Sequence, residues 1–309
     1  MGYLLQHLKQ CVRQNYFEVL GRISPERLAK LHYRRAFKKE MDLDHPQDIN
    51  EKINWLKFRS DTTEWVRLAD KYRVREYVEA CGLGDTLVKL YGKWDRVEDV
   101  DWASLPNQFV MKMNNGSGDV FICTDKSQTS FEQCVRHFAP LFKQSFGVLT
   151  AEPHYRQIKP CVIAEELLDV STQPCGSTSL IDYKIWCFDG TPLWIWVGLN
   201  RHDGYAEDML YDTDWVQHAE HLADVPHYRI TEKSVPRPQN LARMLEVAAT
   251  LSKGFPQLRL DLYEVAGKIY FGEMTFTSSG GYDDGYTLEF LLELGQHCDL
   301  NKAPKKPCK

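Results

Sequence analysis

Apolar residues recur at helical spacing through most of the first 82 positions. Residues 1–60 read as helical, with a basic cluster at HYRRAFKKE. Pro46 and Asp48 mark a turn before a helix that carries Ile49, Ile53, Trp55 and Leu56. The next periodic stretch, EWVRLADKYRVREYVEACG, sets Val66, Leu68, Ala69, Tyr72, Val74, Tyr77 and Val78 in register. It predicts one helix that stops at Gly82. The pattern then shortens, and LVKLYGKW, QFVMKM and DVFICTD read as strands, followed by a helix around 130–144. Further strands are expected at PCVIAEELL, DYKIWCF and PLWIWVGLN, the last two joined by an Asp-Gly turn at 189–190. QNLARMLEVAATLSKG returns to helical spacing through Leu241, Leu245, Ala248, Leu251 and Phe255 and ends at Gly254. Finally, QLRLDLYEVAGKIYFGEMTFTSSGG is a hairpin running into a loop. Helices interspersed with mostly antiparallel strands, without regular βαβ units, make an α+β pattern.

Composition narrows the partners rather than the fold. A chain of 309 residues with 43% hydrophobic and 26% charged positions is ordinary for a globular protein. Its net charge of −5 argues against a protein devoted to nucleic acid. No run approaches the length of a membrane span, and the start reads as an amphipathic helix rather than a signal peptide. That helix packs on the body or touches a membrane surface. Nine scattered cysteines without a CxxC argue against a disulfide framework or structural zinc and for a reducing, cytoplasmic setting. The tail NKAPKKPCK is expected to fray.

Three stretches could carry chemistry. FVMKMNNGSGDVFIC places Lys112 ahead of its glycines, the reverse of the order in P-loops and protein kinases. A hairpin tip folding its N–H groups over phosphates fits, and so does a plain solvent-exposed turn. In LRLDLYEVAGKIYFGEMTFT, Arg259 and Asp261 share one strand face, while Phe271, Glu273 and Thr275 share a face of the returning strand. A three-residue connection, Val265-Ala266-Gly267, would preserve parity and bring Arg259, Asp261, Glu273 and Thr275 to one side. A two-residue turn would put Asp261 and Glu273 on opposite faces. Two carboxylates beside an arginine make a Mg²⁺-phosphate site; the alternative is a cross-strand ion pair. In VIAEELLD, an apolar strand with an exposed backbone edge could seat an adenine, or be an ordinary buried strand.

Taken in order, INEKINWLK, ADKYRVREYV, KMNNGSG, IAEELL, DYKIWCFDG and YFGEMTFT resemble successive elements of the ATP-grasp superfamily. Within it, they are similar to the teichuronopeptide-biosynthesis branch of surface-polysaccharide clusters. The resemblance spans roughly residues 34 to 290 and implies two α+β subdomains gripping ATP behind a mainly helical N-terminal region. The implied boundaries are 1–65 for the helical region, 66–170 and 171–300 for the subdomains, and 301–309 for a disordered tail.

Carried over by position, it implies that Lys71 and Lys112 contact the ATP phosphates, with Gly116, Ser117 and Gly118 as a flexible lid. Glu165, Glu166 and Leu168 would line the adenine hinge and Asp182 would reach the ribose. Lys184 would contact phosphates or the acyl substrate, and Arg259 the γ-phosphate. Asp261 and Glu273 would ligate Mg²⁺, two ions being the expected number. Thr275 stands where many relatives have Asn as third ligand. Ser278, Ser279 and Gly280 would grip a carboxylate substrate, and Asn200 with Arg201, which end a strand, would lie within its reach.

The implied reaction is ATP-dependent amide formation through an acylphosphate. It would join an amine or amino acid to the carboxyl group of a surface polysaccharide or its precursor, in the cytoplasm or at the inner membrane face. Two rivals remain. Asp212 and Asp214 in YDTDW have the Asp-x-Asp spacing of metal-dependent nucleotide-sugar glycosyltransferases, though that spacing equally suits a turn. A non-catalytic nucleotide-binding assembly factor is the other. His218 and His221 in HAEH lack an evident third metal donor and read as a solvated helix face.

Overall fold

The computed structural model describes residues 2–202, 205–226, 229–231 and 234–306; the side chains of 2–12, 201, 202 and 205 lie outside that description. Helices α1 (Gly2–Ile23) and α2 (Pro25–Phe37) pack together ahead of α3 (Ile49–Arg59). Asp48 starts α3 as expected, its carboxylate accepting the Glu51 N–H at 2.9 Å. Ile49, Ile53 and Leu56 enter the main core, whereas Asn50, Asn54 and Lys57 are buried polar residues of the same helix.

The single helix expected over 64–82 is two, α4 (Thr63–Leu68) and α5 (Val74–Ala80). Asp70 accounts for the break. Its Oδ1 accepts the backbone N–H groups of Tyr72 at 2.9 Å and Arg73 at 3.2 Å, a local alternative to helical hydrogen bonding. Lys71 therefore sits in a turn, where its own N–H donates to the Asn114 carbonyl at 2.9 Å.

One sheet has the order β1 (Leu90–Trp94), β4 (Val162–Glu165), β2 (Phe109–Met113), β3 (Val120–Cys123), all antiparallel. Phe109, Met111 and Met113 join Val162 and Ala164 in a core with Phe138 of α6 (Phe131–Phe138). Strand alternation leaves Lys112 and Glu165 on the other face.

The larger sheet runs β10 (Lys268–Thr275), β9 (Leu258–Val265), β5 (Asp182–Phe188), β6 (Thr191–His202), β7 (Tyr205–Asp212), β8 (Arg229–Ile230). It is antiparallel except for the β7–β8 pair. The expected Asp-Gly turn joins β5 to β6, with positive φ at Asp189 and Gly190. Helix α7 (Leu241–Ser252) packs Leu241, Met244, Val247, Ala248 and Leu251 with Leu258, Leu260 and Leu262 in the main core. Asp182, Lys184, Arg259 and Asp261 lie on the alternate positions of β5 and β9 and so on the opposite face.

The β9–β10 hairpin corrects the expected parity argument. Val265 pairs with Lys268, so the connection is the two-residue turn Ala266-Gly267, both at positive φ. That turn alone would have opposed Asp261 and Glu273. Instead the register shifts between Phe271 and Glu273: Phe271 pairs with Leu262, but Glu273 pairs with Asp261. Gly272 is the extra residue of a β-bulge. Phe271 consequently joins the core with Leu262, and it does not share the face of Glu273 and Thr275 as expected.

Helix α8 (Leu288–His297) packs on α3. Residues 301–306, expected to fray, are tied back. Asp61 donates its N–H to the Pro304 carbonyl at 2.8 Å, Ser60 bridges Lys305, and Lys302 pairs with Asp189 at 2.5 Å. Among the described residues no helix is long and apolar enough to cross a membrane.

Candidate active site

The bulge and the broken helix converge on one cluster. Lys71, delivered by the turn between α4 and α5, donates to Glu273 Oε2 at 2.8 Å and to the Gly116 carbonyl at 2.8 Å. One ammonium thus links the glycine loop of the smaller sheet to a carboxylate of the larger sheet. Arg259 grips Asp261 with two parallel bonds of 2.8 Å, and its remaining NH1 donates to Ser278 Oγ at 2.8 Å. Lys184, opposite Asp261 across the β5–β9 ladder, pairs with Asp182 at 2.7 Å and lies 3.7 Å from Asp261. Thr275 Oγ donates to Glu273 Oε1 at 3.1 Å and lies 3.3 Å from Arg259 NH2.

These contacts set the charge states. Burial alone would raise the Glu273 carboxyl, but Lys71, Arg259 and Lys184 outweigh it and hold the group well below the usual carboxylate range. Burial works against the Arg259 cation, yet Asp261, Glu273 and Asp283 keep it charged. Ionised carboxylates in a lattice of cations are what a site for a metal-bound polyphosphate requires before its ligand arrives. The donors fit a hard cation: Asp261 and Glu273 are adjacent carboxylates on one face, with the Thr275 hydroxyl beside them.

The smaller sheet contributes Lys112, whose ammonium pairs with Glu165 Oε2 at 2.6 Å, while Arg75 binds the other oxygen at 3.1 Å. Glu165, expected at an adenine hinge, therefore anchors two cations. β4 is also a central strand bonded to β1 and β2, so the exposed edge expected within 162–165 is absent. The Glu166 N–H is tied to the Lys89 carbonyl at 2.9 Å, and Leu168 is buried against Val88 and Val265. At the hairpin tip, Gly116 is buried, whereas Ser117 and Gly118 are exposed.

The expected substrate residues divide. Ser278 Oγ sits between Arg259 and Asp283, donating to Asp283 Oδ2 at 3.0 Å. Ser279, Gly280 and Gly281 follow with three consecutive positive φ values, a backbone path that glycine permits. Asn200 is engaged structurally, accepting from the Thr178 N–H at 3.0 Å and donating to Glu207 at 3.1 Å. The Arg201 side chain lies outside the described residues.

The stretch INEKINWLK contributes to the resemblance, but the support it gives the loop was not legible. Asn50 exchanges hydrogen bonds with the Asp283 backbone at 2.8 and 3.0 Å, Asn54 donates to the Gly281 carbonyl at 2.8 Å, and Lys57 to the Gly280 carbonyl at 2.7 Å. Their spacing of four and three residues puts all three on one face of the helix, which is the signal that could have found them. Burial, partly countered by Glu152, lowers Lys57 to about 7.

The rival motifs resolve locally. Asp212 ends β7 and accepts the N–H groups of Asp214 at 2.9 Å and Val216 at 2.8 Å, an Asx-type turn. HAEH is a 3₁₀ turn rather than a helix face, and contrary to expectation Glu220 supplies a third donor near His218 and His221.

Residues 51–298 match the family described as TupA-like ATPgrasp. A comparison with curated proteins found no match. Among solved structures, the D-alanine–D-alanine ligase of Bacillus anthracis is similar over 78% of this chain and 68% of that chain, with 15% identity and a TM-score of 0.46. The corresponding ligase of Helicobacter pylori is similar over 84% and 68%, with 12% identity and a TM-score of 0.43. The ATP-grasp ligase PsnB, solved with minimal precursor, Mg and ADP, is similar over 75% and 59%, with 11% identity and a TM-score of 0.37.

Proposed function

The chain belongs to the TupA-like ATPgrasp family, and on that premise we propose that it is an ATP-dependent carboxylate–amine ligase. Its fold is that of the teichuronopeptide-related ATP-grasp branch, preceded by a helical region. The observation that carries the reading is Lys71, which joins the glycine loop to Glu273 and so supports a single locus for phosphate and metal.

In this reading a substrate carboxylate oxygen attacks the γ-phosphorus of ATP, the bond to ADP breaks, and an acylphosphate forms. An amine then attacks the acyl carbon, loses a proton, and phosphate leaves. Lys71, Lys112 and Arg259 bind and orient the polyphosphate, with Gly116–Gly118 closing over it. Lys184 stands beside the transferring group, and Ser278–Gly280 hold the acyl substrate. Asp261, Glu273 and Thr275 would hold Mg²⁺, which would supply charge neutralisation to the polyphosphate. The rate enhancement comes from positioning and preorganised charge. The substrates are an amine or amino acid and a carboxyl group of a bacterial surface polysaccharide or its precursor, and the setting is cytoplasmic.

Nothing in the geometry of Asp212 favours the glycosyltransferase alternative, because one carboxylate oxygen already closes its turn. Phosphate release from ATP across candidate acids and amines tests the proposal. Glu273→Gln is expected to abolish it while the variant still folds and melts cooperatively, below wild type because Lys71 and Arg259 lose a charged partner, and near-normal release in that variant would sink the metal assignment. Stabilisation by UDP-sugars with Mn²⁺, and not by Mg-ATP, would instead favour the transferase.

A further inference from the structure

The N-terminal helices make a cleft of about 970 Å³ between α1, α2 and the 149–150 turn, with Tyr282 forming part of its wall. That volume lies at the upper end of the range for small-molecule sites. Its chemistry differs from that of the whole chain. The net charge of the protein is −5, yet among the described residues the cleft is lined by Arg13, Arg35 and Lys38 and by no acidic residue. Neither arginine has a carboxylate partner among the described residues. Both guanidinium groups instead lie over the Phe17 ring, each 5.5 Å from its centroid. An aromatic row continues from Phe17 to His32 at 5.5 Å and from His32 to Tyr282 at 5.3 Å. His32 is held by the Leu149 carbonyl at 2.7 Å, and Tyr282 donates to the Thr150 carbonyl at 3.2 Å.

Tyr282 directly follows Ser278–Gly281. Lys57 ties the two together, donating to the Gly280 carbonyl at 2.7 Å with its ammonium 4.9 Å from the Tyr282 ring centroid. The cleft therefore shares a wall residue, Tyr282, with the segment that follows the loop assigned to the acyl substrate.

We propose that this cleft binds the anionic body of the acceptor, a saccharide bearing carboxylate or phosphate groups, and presents its reacting end to Ser278–Gly281. Arginine forks match carboxylate and phosphate oxygens, and flat aromatic faces accommodate the apolar face of a ring. Arg13 and Arg35 have no carboxylate partner among the described residues, so an incoming anion displaces no described ion pair there. The placement rests on the ligase reading of the Ser278–Gly281 loop, but the binding itself does not.

The test uses full-length protein without ATP, titrated calorimetrically with trigalacturonate, galactose 1-phosphate and neutral maltotriose, and in parallel with Mg-ATP. The two anions are expected to bind and maltotriose not to. Arg13→Ala with Arg35→Ala should weaken the anions by at least about tenfold, the effect of losing one charge-assisted hydrogen bond. Mg-ATP affinity should not change. Arg35→Lys, which keeps the charge and loses the fork, should fall between. Absence of anion binding, or equal binding by the double variant, overturns the proposal. So does binding only to phosphatidylglycerol vesicles, which would make the face a membrane contact. Loss of Mg-ATP binding with anion binding intact would remove the ligase reading and leave the cleft standing.

Discussion

Replacing Gly272 by alanine would place a Cβ 2.7 Å from the Asp261 carbonyl oxygen and 3.0 Å from Tyr263 Cε2. A relaxed carbon–oxygen contact needs roughly 3.3 Å, so the two strands must separate by about 0.6 Å at the residue that aligns Asp261 with Glu273. Overpacking of this kind costs about 1–3 kcal/mol, and at about 2–4 °C per kcal/mol for a large domain the melting temperature should fall by about 2–12 °C. Activity should suffer more than stability. Displacements approaching 1 Å at reacting groups cost about a hundredfold, so phosphate release should drop by at least about tenfold. Differential scanning fluorimetry with and without Mg-ATP, together with phosphate release, measures both effects. Gly84→Ala serves as control, because its Cβ would meet only Glu79 Cγ, at 3.4 Å. If Gly272→Ala melts within about 1 °C of wild type and turns over normally, the bulge is not what sets the carboxylate pair, and the geometric argument fails.

Other consequences follow from the same geometry. Lys71→Met should abolish ATP turnover and remove the cation that most depresses Glu273. Because the folded-state carboxyl lies below 4.5, its stabilisation is present above that pH and disappears as pH falls through the folded value, so the gap in melting temperature between wild type and variant should shrink on acidification. Lys57 has the same sign in a higher window: between about 7 and 10.5 the unfolded chain binds more protons, so stability should rise with pH there too. Lys57→Met should flatten that rise, as read from paired urea titrations at pH 7 to 10. Asn50→Ala leaves the buried Asp283 N–H and carbonyl without their partner and should cost about 1–3 kcal/mol, with KM for the acyl substrate rising more than KM for ATP. Asp212→Asn with Asp214→Asn should leave phosphate release unchanged, and a collapse would revive the transferase reading.

Much of this molecule is legible without coordinates, because local periodicity and turn chemistry are written in nearby residues. Asp48 at the start of α3, the Asp189-Gly190 turn and the apolar stripe of α7 are of this kind. So is the family membership of residues 51–298, which rests on ordered short motifs. The grouping of Arg259, Asp261, Glu273 and Thr275 on one face could be expected, but for the wrong reason. The sequence allows either turn length, and a bulge at Gly272 restores parity by a backbone choice that depends on the opposite strand.

What only the tertiary structure decided are contacts between residues far apart in the chain. Lys71 meets Glu273 across 202 positions, and it can do so only because Asp70 interrupts a helix that periodicity alone would continue. The β4 strand looks like an edge in sequence and is central in space. Asn50, Asn54 and Lys57 look like the polar side of an amphipathic helix, yet they are buried under the Ser278–Asp283 loop, whose backbone groups need those partners. Hydrophobic pattern specifies which side of an element is turned inward. Where buried polar groups find their hydrogen bonds depends on what the fold brings opposite them, and that is where this protein's proposed chemistry resides.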